Sequence, residues 1–177
     1  MLGNLLQSFS DPHTRHAMIV HIPIALGALG VLPLIALALT RFSSRPLKLL
    51  CLGWFVVASA GAAMGANAGS QAEDRVERTA TPAAKSALEQ HEELGENGWI
   101  WPLIPAGLVA LTLVPRRRIA VAAGALAIAG AAGVTAWVTY TGHTGGQLVY
   151  AHGLGVGQSG ALARNTGAPV SHAETDD

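Results

Sequence analysis

Charge is scarce in this chain of 177 residues: Asp, Glu, Lys and Arg make up 12% of it against 50% hydrophobic residues, about half the charged share of an ordinary soluble domain. That deficit argues against a cytosolic enzyme. Eleven Lys and Arg balance eleven Asp and Glu, so no excess of either sign points to nucleic acid or to a polyanion. Cysteine is nearly absent. With Cys51 alone, an internal disulfide framework, a CxxC redox pair, a cysteine-rich zinc site and a CxxCH haem attachment are all excluded. GxxxxGK[ST] and GxSxG motifs are missing too, and no paired base and nucleophile is visible, so no independent enzymatic reaction is assigned.

What the chain has instead is apolar length. Residues 17–39, 47–66, 99–114 and 119–140 carry no Asp, Glu, Lys or Arg apart from Lys48 at the edge of the second stretch. Roughly 20 apolar residues cross a bilayer, so the pattern predicts an all-α, integral membrane four-helix bundle forming a single domain over residues 1–177. A cleaved secretory signal is a poorer reading of the first stretch. Its apolar run exceeds the usual roughly 7–15 residues, Asp11 offsets Arg15 ahead of it, and Arg41, Arg45 and Lys48 follow it.

The loops orient the spans. Arg41, Arg45, Lys48, Arg116, Arg117 and Arg118 sit in or beside the two short connections, which hold no acid, and the positive-inside rule places them in the cytoplasm. Five cations and all eleven acids remain for the other side. Both termini are then extracytoplasmic. Trp99, Trp101, Trp137 and Tyr140 fall at the outer interface, where amphipathic rings settle.

Local signals fill in the rest. Leu2, Leu5, Leu6 and Phe9 follow helical spacing and predict a short amphipathic helix on the membrane surface. Asp11-Pro12 and Thr81-Pro82 read as helix caps, and residues 67–80 as a polar loop. Gly95, Gly98, Pro102 and Pro105 are expected to kink or break the segment that leads into the third span. Gly61 and Gly65, and the ladder Ala125, Ala129 and Gly133, have the spacing of close helix contacts. From Gly142 to Gly167 the chain is glycine-rich, and a mobile tail is expected beyond the fourth span, over residues 153–177.

Every histidine, His13, His16, His21, His91, His143, His152 and His172, falls on the outer side or in the outer leaflet. Ionisable groups at that depth are costly and usually functional. His16 and His21 lie about 140° apart on a helix and face different neighbours, whereas His13 and His16 are about 60° apart and could share a small metal. Ala25 and Ala28 below His21 leave room for something flat. His21 and His143, at helix ends on one face of an up-down bundle, suggest a haem between imidazoles. Interfacial structural histidines, or a zinc, copper or iron site without porphyrin, remain open on spacing alone.

Two stretches bear on that choice. His16-Ala-Met-Ile-Val-His21-Ile-Pro-Ile-Ala-Leu26 resembles the HPxxVHFPIAL opening of a bacterial family of four-helix membrane proteins catalogued as a domain of unknown function. Gly142-His-Thr-Gly-Gly-Gln-Leu-Val-Tyr-Ala-His152-Gly is similar to its GHxGGxLVYxHG ending, and His91 stands where the family has a histidine ahead of the third helix. The chain departs from the pattern at Ala17 and Ile22. The family resembles cytochromes b, with relatives fused to Rieske or cytochrome c domains. The resemblance implies one or two haems b, candidate ligands His16, His21, His91, His143 and His152, and electron transfer near the outer face.

No redox domain is fused here, so a separate partner is implied: a cytochrome c, a Rieske protein or a quinone-linked complex, with a homo-oligomer or a larger membrane complex as further possibilities. Arg15 and Gly145-Gly146 are candidate propionate contacts. The contrasting readings are a non-redox scaffold subunit and an outer-face zinc or copper protein. Gly155-Val-Gly157-Gln-Ser-Gly160 matches GxGxxG without a βαβ setting, and His91-Glu92-Glu93 lacks the second histidine of HExxH, so both are set aside. Glu92, Glu93 and Glu96 read as a solvated helix face, and Cys51 as a small buried hydrophobe.

Overall fold

In the computed structural model, which describes residues 9–78 and 80–154, seven helical segments build four rods. The first rod is α1 (Pro12–Ile19), α2 (His21–Leu29) and α3 (Val31–Leu39), the second is α4 (Arg45–Glu77), the third is α5 (Pro82–Glu96) and α6 (Ile100–Leu111), and the fourth is α7 (Arg117–Tyr150). Each rod packs on its neighbours in sequence and the fourth returns onto the first, which closes an up-down square with the first and third rods diagonally opposed. The predicted surface helix at residues 1–8 and the tail from residue 155 lie outside the described residues.

The breaks in the first rod have a common cause. Helical continuity lapses at Val20 and Gly30, three residues before Pro23 and Pro33, although both residues keep right-handed backbone angles. A proline inside a helix removes one N–H and crowds the preceding turn, so the helix bends without ending. Gly30 donates to Gly27 rather than to Leu26, and the Leu26 carbonyl accepts from the Trp54 indole at 2.8 Å. The start of the rod is capped as its sequence predicts, Asp11 accepting from Thr14 N at 3.0 Å ahead of Pro12. Thr81 caps α5 likewise, accepting from Ala84 N at 3.3 Å.

Three rods contain helices long and apolar enough to cross a membrane: Pro12–Leu39, Arg45–Glu73 and Arg117–Tyr150. The expected span at 99–114 is not a fourth of that kind. Only Ile100–Leu111 is helical there, 12 residues, or about 18 Å against a hydrocarbon core of about 30 Å. At its start the backbone turns through Asn97–Trp99, where the Gly98 backbone lies hard against the Trp137 ring. At its end, Thr112, Leu113 and Val114 each bond three residues back, and Pro115 follows.

Two other boundaries move. The second helix does not stop for a polar loop at residue 67 but runs to Glu77, because Asn67, Gly69 and Ser70 stand on the wall facing the first rod and no proline interrupts them. The last helix passes through Gly142, Gly145 and Gly146 to Tyr150, ten residues beyond the expected end of the fourth span at 140. Packing supplies what glycine's propensity lacks: Thr144, among those glycines, and Leu148, just beyond them, are buried.

Hydrophobic packing is concentrated toward the basic connections. Leu34, Leu37, Phe42, Cys51, Phe55, Ala106, Val109, Ala127 and Ala131 form one core. Arg41 and Phe42 turn the chain with φ of 54° and 59°, a left-handed conformation that side chains rarely adopt. The turn is held because the Phe42 ring fills the notch at Gly124. Lys48 Nζ donates to the Thr112 carbonyl, which ties the two basic connections together at one end.

Gly61 and Gly65 meet Pro23, Ile22 and Val20 of the first rod, as their spacing predicts. The Ala125–Ala129–Gly133 ladder does not make an internal contact. It faces outward, and α7 instead packs through Ala120, Ala123, Gly124, Ala127, Ala131, Val134 and Val138.

A methyl group on Gly124 would stand 2.2 Å from Phe42 Cε1, whereas one on Gly133 meets nothing within 4 Å. Gly124→Ala is therefore expected to lower stability by about 1–3 kcal/mol through overpacking, and Gly133→Ala to leave it within about 0.5 kcal/mol. Unfolding of the purified variants in detergent reads both.

Candidate functional site

The end of the bundle away from that core is hollow. A cavity of about 700 Å³ lies there, within the roughly 300–1,000 Å³ range of small-molecule and cofactor sites. Its apolar wall includes Val20, Pro23, Ile24, Trp99, Trp137 and Val138, and its polar lining includes His13, His16, Glu73, His91, Glu92 and Glu96. Small residues on α4 and α7, among them Ala62, Gly65, Ala66, Gly69, Gly142 and Gly145, leave the space. A second cluster, Ala84, Leu148 and Leu154 with Val76 and Leu88 against it, closes the far end. Gly153, at φ 68°, permits that closure by turning the chain so that Leu154 N reaches the Leu148 carbonyl at 2.9 Å.

Two imidazoles enter this cavity from the diagonally opposed rods. His16 on α1 has its Nδ1 2.8 Å from the Gly65 carbonyl; a carbonyl only accepts, so Nδ1 carries the proton. His91 on α5 has its Nδ1 2.9 Å from Thr144 Oγ1. That hydroxyl spends its own proton on the Thr141 carbonyl at 2.9 Å and therefore accepts from His91. In both rings the hydrogen bond fixes the tautomer, leaving Nε2 with its lone pair and no partner among the described residues. Fixing a ligand histidine through its other nitrogen is how proteins orient imidazoles toward a metal.

Glycines shape the two niches. An added methyl group at Gly69 would stand 3.1 Å from His16 Nδ1, and one at Gly145 3.0 Å from His91 Cε1. The Thr141 hydroxyl is buried on the same wall and has no hydrogen-bond partner among the described residues, so it is available to whatever occupies the cavity. Burial, with the neighbouring His16 adding to it, holds His91 below the ordinary histidine pKa, against an opposing contact with the Thr141 backbone. His91 lies outside the three spanning helices, and near neutral pH its ring is uncharged and able to ligate.

The remaining predicted residues stand elsewhere. His21 is exposed, and its Nδ1 lies 2.6 Å from the Ala17 carbonyl one turn back on the same rod. Ala25 and Ala28 share that outward surface and do not border the cavity. His143 and His152 are exposed and line no part of it, and His172 lies outside the described residues. Arg15 also lies outside the cavity, its guanidinium donating to Gln71 Oε1. Of the proposed ligands, then, the fold brings His16 and His91 together, and it adds His13. Among the described residues no group of three or more His, Cys, Asp or Glu is placed to hold a metal ion.

Sequence reasoning missed Thr144, Gly69 and Gly153. Thr144 and Gly153 do lie inside the terminal motif, where attention to histidines hides them; Gly69 lies eight and four residues after Gly61 and Gly65 and extends their spacing. A family profile described as predicted membrane protein DUF2231 matches residues 12–158. No curated protein and no solved structure matches the chain.

Two measurements check this geometry. Thr144→Val strands the His91 N–H in a buried setting and is expected to cost about 1–3 kcal/mol, with Thr144→Ser retaining most of the stability. The second is a pH series without added cofactor. Below about pH 6.5 the unfolded chain takes up a proton at residue 91 that the folded bundle resists, so unfolding is increasingly favoured as the pH falls. His91→Gln should flatten that dependence, and an unchanged slope would contradict the burial of a neutral ring.

Proposed function

The chain belongs to the DUF2231 family of predicted membrane proteins and is a multi-pass membrane protein; from that premise we propose that it is a b-type cytochrome-like electron-transfer protein with haem b held between His16 and His91. The observation that carries the reading is the pair of tautomer-fixed imidazoles, reaching one cavity from opposite rods with Nε2 unengaged. Neutral histidine is a ligand for haem iron, and His16 and His91 would hold the group through their Nε2 atoms.

The donor set favours haem over a bare ion. Zinc sites draw three or four ligands from the protein, and the described residues offer no such group. A porphyrin brings four nitrogens of its own and asks the protein for two. When bound, it supplies one-electron chemistry. The chain's own residues then have distinct tasks: Gly65 and Thr144 hold the imidazole planes, Gly69 and Gly145 give them room, and Trp99, Trp137 and Val138 present apolar surface. Glu73, Glu92 and Glu96 give the cavity a polar edge. The cavity volume suits one macrocycle rather than two.

The membrane setting supports the direction of use. We place the basic end, with Arg41, Arg45, Lys48 and Arg116 to Arg118, in the bacterial cytoplasm, and both termini and the cavity at the extracytoplasmic face. Electrons would pass between a quinone-linked membrane partner and an acceptor such as a cytochrome c or a Rieske protein. The acidic residues gathered at that end, Glu77, Glu89, Glu92, Glu93 and Glu96, suit a basic soluble carrier.

Haem content separates the ligand pairs. Pyridine haemochrome analysis of purified protein should find one haem b per chain, lost in His16→Ala and in His91→Ala but kept in His21→Ala, His143→Ala and His152→Ala. A folded wild-type protein that takes up no haem removes the proposal and leaves the scaffold reading.

A further inference from the structure

A second feature, independent of the haem reading, lies on the other side of α4. Arg15 stands in the outer turn of the first spanning helix, and Asn67 and Gln71 in the outer turns of the second. Together with Ile19, Ala63, Met64 and Ala68 they line a groove of about 430 Å³ between α1 and α4. Arg15 Nη2 donates to Gln71 Oε1, and Gln71 Nε2 donates to Asn67 Oδ1 at 2.7 Å. The guanidinium is thus aimed by a neutral amide, which takes up none of its charge; the acid nearest in sequence, Asp11, stands one turn back as the helix cap and accepts from Thr14.

We propose that this groove binds the phosphodiester headgroup of a membrane lipid, with Arg15 on the phosphate and an acyl chain over Ile19 and Met64. Three features point to that occupant. A guanidinium has five donors in a planar fork matched to phosphate oxygens, and Gln71 takes only one of its nitrogens. A cation at the edge of the hydrocarbon is costly unless paired, and a lipid phosphate is the anion available at that depth. The groove is also layered as a lipid is: its polar residues sit at the ends of two spans, while Ile19 and Met64 lie further in. Met64, 58% exposed, offers its side chain to the acyl region. Free phosphate has no use for that apolar half.

Thermal unfolding of the full chain in detergent tests the assignment, with short-chain phosphatidylglycerol and inorganic phosphate as separate probes. The lipid should raise the midpoint of the wild type by several degrees, Arg15→Gln should abolish the rise, and inorganic phosphate at equal concentration should give none. An equal rise in Arg15→Gln overturns the site, and a rise with inorganic phosphate overturns the lipid as its occupant. Were Arg15→Gln to fail to fold, Arg15→Lys decides, since a point charge without the fork should bind the lipid several-fold more weakly; wild-type affinity there would contradict the proposal. Haem content is expected to be the same in all these variants, so the outcome is separable from that of the histidine substitutions.

Discussion

Close approach at glycine is the constraint on which the cavity end of this bundle depends. Gly69 admits His16, Gly145 admits His91, Gly98 lies against Trp137, and Gly61 and Gly65 let the first and second rods meet. Side chains at these positions would push the rods apart or force the imidazoles out of the cavity. In lipid, where apolar surface gains nothing by leaving the solvent, such packing and the hydrogen bonds between helices carry much of the association. The pairing of His16 with the Gly65 carbonyl and of His91 with Thr144 belongs to the same set of contacts. One group of small residues therefore builds the joint, the space and the orientation of the two rings.

The opposite end follows a different rule. There Phe55, Leu34, Leu37 and Val109 are fully buried and the rods fill their own interior, at the cost of a left-handed turn at Arg41 and Phe42. A packed half holds the hollow half in register, so the cavity borrows its precision from helices rather than loops. The broken third rod serves the hollow half. Turning at Asn97–Trp99 allows α5 to carry His91 while α6 packs between α4 and α7.

Much of the fold was legible in residue type and spacing. Uncharged length gave the spans at 17–39, 47–66 and 119–140, and Asp11-Pro12 and Thr81-Pro82 marked true helix starts. Polarity misled at 67–77 and glycine content at Gly142–Tyr150, because both are poor helix formers only until a neighbouring rod packs on them. The Ala125 ladder shows the reverse limit: spacing reveals that a face is small, not which partner meets it. Apolar length likewise overstated 99–114, where Gly98, Pro102 and Pro105 shorten the regular helix.

For the site, the sequence indicated the residue type and the end of the bundle but not the pairing. A helix turn of about 100° per residue separates His16 from His21, and only the packing of α1 on α4 decides which faces inward. His143 and His152 stand out in the terminal motif, yet its buried residues are Thr144, Leu148 and the turn at Gly153. The most direct test of the central claim is electron paramagnetic resonance of the oxidised purified protein. The account predicts a low-spin ferric signal from iron with two imidazole ligands; a high-spin signal from iron with one, or with none, would contradict it.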